Sequence, residues 1–353
     1  MDFPLTRAVL DAAVAGRATP AVVIEVGRRA GALWTHAAGT LTYDPDAPRT
    51  SVETVFDLAS LTKVIATTSL TMRHVGAGRL ELDRPLGTWL PGWSAGARAT
   101  VTIRHLLEHS SGLPAHGRYW FEARGRAAYE ARIREVDLEA PPETRAVYSD
   151  LGFILLGFII EDAGQASLAV QMEALNRDLD LGTIAYLPPA DWIERTAPTE
   201  FDSWRNRLLR GEVHDENAAA LGGAAGHAGL FGTAAAVGRF ARAFMAALGG
   251  EPEAARHLPL AREFVRPSRV PGSSRALGWD TMRPTSSCGR RLTSRAFGHT
   301  GFTGTSLWID PELDLYVVLL SNRVHPSRTN EAFVKVRPQV HDAVVEDLQR
   351  TGL

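Results

Sequence analysis

Apolar residues follow a helical and then a strand pattern at the start of the chain. Leu5 and the apolar positions after it predict a helix over residues 4–15. The β-branched run that begins after Pro20 predicts a strand over 21–29, and a second strand is predicted over 33–42. The chain therefore opens with one helix and two adjacent strands.

The pattern near the other end predicts a hairpin followed by a helix. Within residues 297–324, the apolar segments SLWI and LYVVLLS predict two strands, and the polar stretch 310–314 predicts the turn between them. A terminal helix is predicted over about 331–350.

Between these ends the pattern is mainly helical. Helices are predicted over 60–76, 103–109, 151–164 and 234–248. The third is apolar nearly all round, which indicates burial, because it is too short to cross a membrane. Residues 221–233 are rich in Gly and Ala, so we expect this segment to pack closely against a neighbour.

Strands at both ends with helices between them predict an α/β (α+β) chain. We expect residues 1–78 and 226–353 to form a sheet domain, and residues 79–225 to form an inserted, mostly helical domain. A length of 353 residues suits one large domain or two packed ones.

Composition excludes several classes of protein. A net charge of −2 argues against a surface built to bind nucleic acid or an anionic membrane. No run reaches the roughly 20 apolar residues of a membrane span, and residues 1–20 show no signal-peptide pattern, so we expect a cytoplasmic location. The one cysteine, Cys288, excludes a disulfide within the chain.

Lysine is rare among the basic residues. Only Lys63 and Lys335 are lysines, and all the others are arginines. Because a partly buried lysine can lose its proton and arginine cannot, a lysine retained against this bias is informative. Lys335 lies in the predicted terminal helix without nearby chemistry, and we expect it to be solvated.

Lys63 lies three residues after Ser60, at the start of the predicted helix 60–76. This spacing places both side chains on one face, where a desolvated lysine can take the proton that makes serine a nucleophile. The structural alternative is that Ser60 caps the helix and Lys63 lies on the surface.

Two further motifs carry polar chemistry. In Tyr148-Ser149-Asp150, a phenol beside an ammonium can be driven toward phenolate and act as a general base; alternatively Tyr148 is buried and Asp150 caps the helix that follows. In His299-Thr300-Gly301, a glycine-lined strand edge can bind substrate and offer an N–H to an oxyanion; alternatively it is a hairpin turn.

The order and spacing of these motifs resemble the serine hydrolases of the class C β-lactamase and penicillin-binding protein family. The matching stretches are FDLASLTK (56–63), LLEHSSGLP (106–114), YSDLGFILLG (148–157) and GHTGFTGTSLWIDP (298–311). The resemblance implies a β-lactamase/transpeptidase-like fold, in which helices from both termini flank an antiparallel sheet and the active site lies between the sheet and the helical domain.

The same resemblance implies roles for individual residues. Ser60 would be acylated, Lys63 would assist its deprotonation, and Tyr148 would be the general base that later protonates the leaving group. The N–H groups of Ser60 and Phe302 would form the oxyanion hole. Substrate would contact Asp150, His299, Thr300 and Gly301. His299 and Thr300 would bind its polar end.

Two departures from the family pattern bear on the substrate. His299 replaces the usual lysine, and Asp150 replaces the usual asparagine. A neutral histidine binds anions weakly. The charge of Asp150 could pair with Lys63 and would disfavour a nearby substrate anion. We therefore expect an esterase, amidase or D-peptidase with weak or no β-lactamase activity.

A further stretch, VHDENAAALGGAAGHAGLFGT (213–233), resembles cell-wall-turnover members similar to penicillin-binding protein 4B and N-acetylmuramoyl-L-alanine amidases. By that resemblance His214, Asp215, Asn217 and His227 would line the cleft, although a structural loop remains an equal alternative. The expected substrate is a small molecule or a muropeptide-like compound, with no cofactor and no metal, and the oligomeric state stays open.

The sequence is compatible with other functions. His105, Glu108 and His109 match a His-x-x-Glu-His pattern that binds zinc in some peptidases. A carboxylesterase of the same family, or an inactive binding protein on the same fold, is also compatible with the sequence.

Overall fold

The computed structural model describes residues 1–350, and its largest element is a six-stranded antiparallel sheet. The strands are β1 Ala21–Arg28, β2 Gly31–Gly39, β3 Phe56–Asp57, β4 Ile184–Tyr186, β5 Phe201–Asp202, β6 Arg207–Leu208, β7 Leu230–Gly232, β8 Asp280–Thr281, β9 Phe297–Thr300, β10 Ser306–Asp310 and β11 Leu315–Ser321. The large sheet has the order β2-β1-β11-β10-β9-β8. The strands predicted at the two ends of the chain thus lie side by side.

The helices are α1 Pro4–Ala15, α2 Ser69–Gly76, α3 Ile103–Leu107, α4 Gly125–Glu135, α5 Asp150–Gly164, α6 Leu168–Leu179, α7 Glu216–Ala220, α8 Ala234–Gly249, α9 Pro252–His257, α10 Ala261–Phe264 and α11 Ala332–Arg350. The predicted helices over 4–15, 103–109, 151–164, 234–248 and 331–350 are confirmed within two residues at each end. Among the described residues, no single helix is both long and apolar enough to cross a membrane. Helices α5 and α6, which are bent relative to each other by 74°, reach that length and apolar content only when they are taken together.

The two central strands are buried on both faces. All seven residues of β11 are buried, and β1 is buried up to Gly27. The two strands pair antiparallel, with Val23 opposite Leu320. This explains why both segments are mainly apolar, with Glu25 as a buried exception in β1, since helices cover both faces of the sheet.

The sheet separates two apolar layers. On one face, α1 and α11 pack over the strands through Phe3, Leu10, Trp308 and Val344. The layer on the opposite face contains residues of α2, α5 and α8. The sheet is therefore the inner layer of a three-layer arrangement.

A small three-stranded sheet connects distant parts of the chain. Its order is β3-β7-β4, and Phe231 of β7 pairs with both Asp57 and Ala185. β4 lies in the segment predicted as the helical domain, whereas β3 and β7 lie in the predicted sheet domain. The division at 78/79 and 225/226 itself stays a prediction.

Two predicted elements differ in detail. The helix predicted over 60–76 begins with a turn and a π-helical segment, Lys63–Thr68, before α2. The widened turn directs the Thr67 hydroxyl to Gly226 O at 2.6 Å, and such π segments are frequent at functional sites. The strand predicted over 33–42 ends at Gly39, which has a left-handed φ of 85°.

Candidate active site

The turn that carries Ser60 is held in an unusual backbone conformation. Ala59 has a φ of 47°, which is costly for a residue with a Cβ. The buried Asp57 carboxylate fixes the turn by accepting hydrogen bonds from the N–H of Ala59 at 2.8 Å and from the N–H of His214 at 2.7 Å. Strain that is compensated in this way marks Ser60 as a functional position.

Lys63 is completely buried behind Ser60. Its Nζ donates to Ser60 Oγ at 3.0 Å and to His227 O at 3.0 Å, and it lies 2.7 Å from Asp150 Oδ1. The predicted pairing of Ser60 with Lys63 is therefore present in the geometry. The alternative that Lys63 lies on the surface is wrong, because its side chain is 0% exposed.

Asp150 determines the charge state of Lys63. Burial by itself would lower the pKa of Lys63, but the negative charge of Asp150 and the contact with Tyr148 outweigh burial and raise it. Lys63 is therefore an ammonium in this arrangement, and the pairing with the Asp150 charge that the sequence suggested is present in the geometry.

Tyr148 lies beside the charged lysine. Its ring centroid lies 4.9 Å from Lys63 Nζ. Burial raises the pKa of Tyr148, and the nearby charge of Lys63 and contact with Ser60 offset burial only in part. The phenol is thus protonated at neutral pH, because desolvation outweighs the neighbouring ammonium, and the role of Tyr148 as general base stays a prediction.

Ser149, rather than Asp150, caps helix α5. The Ser149 hydroxyl accepts a hydrogen bond from the Gly152 N–H at 3.3 Å. Asp150 begins the helix, and its carboxylate is free to pair with Lys63. One motif therefore supplies the helix cap, the charge partner of the lysine and the phenol.

The end of β9 lies against the nucleophile turn. A Cβ at Gly301 would lie 2.6 Å from Leu58 O and 2.1 Å from Thr305 Oγ1, so no side chain fits there. The hydroxyls of Thr303 and Thr305 donate to Asp57 O at 2.7 Å and to Leu58 O at 3.0 Å. This close approach explains why the third motif needs glycine.

The N–H groups of Ser60 and Phe302 are available to a ligand. Within residues 1–350, neither donates a hydrogen bond to the protein. The carbonyl of the Gly301–Phe302 peptide accepts a 2.7 Å hydrogen bond from the buried Arg337 guanidinium. These features suit an oxyanion hole, as predicted from the resemblance.

His299 is buried and neutral. Its Nδ1 is 2.7 Å from Thr300 O, which can only accept, so Nδ1 carries the proton and Nε2 is an acceptor. Burial, with Arg275 and Lys63 nearby, holds the pKa of His299 well below its ordinary value. His299 therefore places no charge where a lysine would place one.

The segment 213–233 is joined to the centre of the site. His227, whose carbonyl accepts from Lys63, donates through Nε2 to Asp215 Oδ1 at 2.7 Å. Although burial acts in the opposite direction, His227 lowers the pKa of Asp215. The expectation that Gly and Ala permit close packing is confirmed, since a Cβ at Gly226 would lie 2.0 Å from Phe153 O.

His214 and Asn217 are engaged by the protein itself. His214 donates to Glu200 at 2.9 Å, and together with Arg328 it lowers the pKa of that carboxyl to about 2 despite burial. The Asn217 amide accepts from the Tyr129 hydroxyl and donates to a backbone carbonyl, both at 2.8 Å. These two residues therefore form part of the cleft wall, and their polar side chains are paired within the protein.

A single cleft of about 570 Å³ brings the motifs together. It is lined by all the proposed site residues except Lys63, which lies behind Ser60. The sequence analysis did not identify several other lining residues, namely Asp57, Trp120, Arg275, Arg323, Arg328 and Arg337. Asp57 lies within the stretch FDLASLTK, whereas the other five come from separate segments that no motif marks.

The zinc alternative does not fit the geometry. Helix α3 ends at Leu107, and His109 lies beyond it with a left-handed φ of 57°. The His105 ring faces Thr102 and Glu143, whereas His109 faces Tyr148. Among residues 1–350, no three His, Cys, Asp or Glu side chains are grouped to hold a metal ion.

A serine, a buried lysine, a tyrosine and a paired set of free N–H groups in one cleft define a serine acyl hydrolase. The family model described as Beta-lactamase matches residues 6–339. The chain belongs to this family, and the expected β-lactamase/transpeptidase-like fold and serine hydrolase class are confirmed.

Relatives extend over most of the chain. An Escherichia coli (strain K12) protein named "Putative D-alanyl-D-alanine carboxypeptidase" is 30% identical over 77% of this chain and 70% of its own length. The Bacillus subtilis (strain 168) "N-acetylmuramyl-L-alanine amidase" is 31% identical over 77% and 68%. The structure titled "Beta-Lactamase/D-Alanine Carboxypeptidase from Pseudomonas syringae" is similar in fold, with a TM-score of 0.76, 17% identity and coverage of 96% and 98%.

Proposed function

We propose that the protein hydrolyses an amide bond in peptidoglycan-derived or D-amino-acid peptides through an acyl-enzyme on Ser60. The observation that carries the proposal is the 3.0 Å contact between Ser60 Oγ and the fully buried Lys63 Nζ, beside a cleft open to substrate. The names of the two relatives, a carboxypeptidase and an amidase, support this substrate class.

The proton path begins from a charged lysine. Lys63 gives one proton to the Asp150 carboxylate 2.7 Å away, and the neutral amine then takes the proton of Ser60. The Ser60 oxygen attacks the carbonyl carbon, and the oxyanion is held by the N–H groups of Ser60 and Phe302. These transfers conserve charge within the buried cluster, which limits the cost of moving protons there.

The phenol of Tyr148 suits the next step. Because Tyr148 carries its proton in the free site, it can protonate the leaving nitrogen as the amide bond breaks. Lys63 then returns a proton to the phenolate. Lys63 is then neutral, and in the second half-reaction its amine takes a proton from the water that attacks the acyl carbon. Lys63 gives this proton to the Ser60 oxygen as the acyl bond breaks. The proton held by Asp150 then returns to Lys63, which restores the starting charges.

Charges in the cleft bear on the substrate. Arg275 and Arg323 line the wall, and no carboxylate lies within ion-pair distance of either among residues 1–350. A substrate with a terminal carboxylate would meet these guanidinium groups instead of a lysine at position 299. This arrangement supports a peptide substrate and accounts for the tolerance of a neutral His299.

Labelling and turnover test the proposal together. Protein treated with a fluorophosphonate, a penicillin or a nitrophenyl ester is digested and analysed by mass spectrometry, with Ser60→Ala as the matched control. We expect an adduct on Ser60 and release of D-alanine or cleavage of an N-acetylmuramyl-L-alanine bond. No adduct on Ser60 with any reagent would overturn the enzyme assignment and favour an inactive binding protein.

A carboxylesterase is the second candidate, and His299 favours it. The neutral imidazole leaves the end of β9 without a charge, which suits an uncharged acyl substrate. Turnover of neutral esters with no release from D-amino-acid peptides or muropeptides would select this candidate.

A further inference from the structure

His109 is a buried residue that the proton path does not use. Its side chain is in the loop after α3 and is 1% exposed. Its φ of 57° is left-handed, a conformation that costs free energy for residues other than glycine, although asparagine, aspartate and histidine adopt it more often than most. A strained, buried histidine beside a catalytic cleft needs a compensating role.

The contacts of His109 bracket Tyr148 along the chain. Its backbone carbonyl accepts from the N–H of Val147 at 2.8 Å, and its ring Nδ1 accepts from the N–H of Ser149 at 2.9 Å. The ring itself lies against the Tyr148 ring, with centroids 4.6 Å apart. His109 thus holds Val147 and Ser149, on either side of Tyr148, and also contacts the Tyr148 ring.

The hydrogen bond also defines the tautomer of His109. A backbone N–H can only donate, so Nδ1 is unprotonated and the proton lies on Nε2. Burial, reinforced by Arg275 and Lys63, holds the pKa of His109 well below its ordinary value. The ring of His109 therefore stays neutral, and its Nδ1 remains available as a hydrogen-bond acceptor.

Resting on the proposed function, we infer that His109 is the positioning residue for Tyr148. By fixing the backbone on both sides of the tyrosine and one face of its ring, His109 aligns the phenol with Ser60 and Lys63. It does not touch substrate, so its loss lowers kcat and leaves KM nearly unchanged. A displacement of about 1 Å at a reacting group costs on the order of 100-fold in rate.

Two variants separate the acceptor from the ring. His109→Asn keeps an acceptor near the Nδ1 position and tolerates the left-handed backbone, whereas His109→Phe keeps a ring and removes the acceptor. Both are compared with His105→Asn, since His105 also accepts a backbone N–H through Nδ1, at 3.2 Å from Thr102, but lies away from the cleft. We measure kcat per active site, with the active sites counted by fluorophosphonate titration, and KM for the same substrate.

We expect His109→Phe to lower kcat by about 100-fold with KM within about twofold, and His109→Asn to recover at least tenfold of that loss. His105→Asn keeps the wild-type kcat per titrated site. A wild-type kcat per titrated site in His109→Phe would overturn the inference, as would equal losses in the Asn and Phe variants. Absence of Ser60 labelling in the wild-type protein would instead overturn the proposed function.

Discussion

The ion pair between Lys63 and Asp150 gives the most direct test of the electrostatics of the site. In the variant Asp150→Asn the amide keeps the shape of the side chain and removes its charge. Lys63 is 0% exposed, Asp150 is 24% exposed, and their charged atoms are 2.7 Å apart. Removing one partner of a buried pair costs about 3–5 kcal/mol. Because Asp150 is partly solvated and Lys63 keeps two other acceptors, we expect a loss of about 3 kcal/mol in the free energy of unfolding at neutral pH.

The sign of the pH dependence follows from the raised pKa of Lys63. A lysine whose folded pKa exceeds its unfolded pKa stabilises the fold below the unfolded value, and this stabilisation disappears as the pH rises through the folded value. The difference in the free energy of unfolding between the wild type and Asp150→Asn is therefore largest at neutral pH and shrinks at strongly alkaline pH. Urea denaturation at both pH values measures it.

The same variant changes the activity profile. Without the carboxylate, burial is opposed by less and the pKa of Lys63 falls relative to the wild type, but the Lys63 proton has no carboxylate to move to, so we expect kcat/KM at neutral pH to fall. Asp178→Asn is the control, because Asp178 makes a 2.7 Å pair with Arg73 at the surface, and we expect it to cost less than about 1 kcal/mol. An unchanged kcat/KM at neutral pH together with unchanged stability in Asp150→Asn would refute the reasoning.

Three other substitutions have defined outcomes. Lys63→Arg keeps the charge but not the removable proton, so we expect turnover to fall by about 10²- to 10⁴-fold in a steady-state assay. Gly301→Ala places a methyl group 2.1 Å from Thr305 Oγ1, and denaturation should show a loss of about 1–3 kcal/mol. Arg337→Gln weakens polarisation of the peptide that carries the Phe302 N–H, so kcat falls equally for neutral and anionic substrates, by less than the ~10²–10³-fold cost of losing an oxyanion donor.

Each of these variants has a control or a contrary result. Lys335→Arg changes the exposed lysine of α11 and should keep full activity. Gly31→Ala adds a methyl group to open space and should keep the wild-type stability. A loss confined to anionic substrates in Arg337→Gln would mean that this guanidinium binds substrate directly.

The sequence predicted the main elements and the central chemistry. Mainly apolar runs identified β1, β11 and α5 because most residues of these segments are buried. The Ser60–Lys63 spacing, the glycine after Thr300 and the Gly- and Ala-rich segment 221–233 each reflect a local requirement that sequence records directly. Resemblance then joined the three motifs into one site.

Charge states required the tertiary structure. The sequence indicated the opposing effects, namely desolvation of Lys63, its pairing with Asp150 and an ammonium beside Tyr148, but not their relative sizes. In the folded protein Asp150 outweighs burial at Lys63, and burial outweighs the ammonium at Tyr148. Such balances depend on distances between residues that are about 90 positions apart.

The sequence alone determined which segments are buried and which residue types can carry acyl transfer, since both are recorded in local pattern and spacing. The tertiary structure alone decided what those residues face. It assigned the cap of α5 to Ser149, placed His109 against Tyr148 and brought Arg275, Arg323 and Arg337 to the cleft wall. The physical reason is that hydrogen bonding and charge act through space, over a few ångströms, between segments that are remote along the chain.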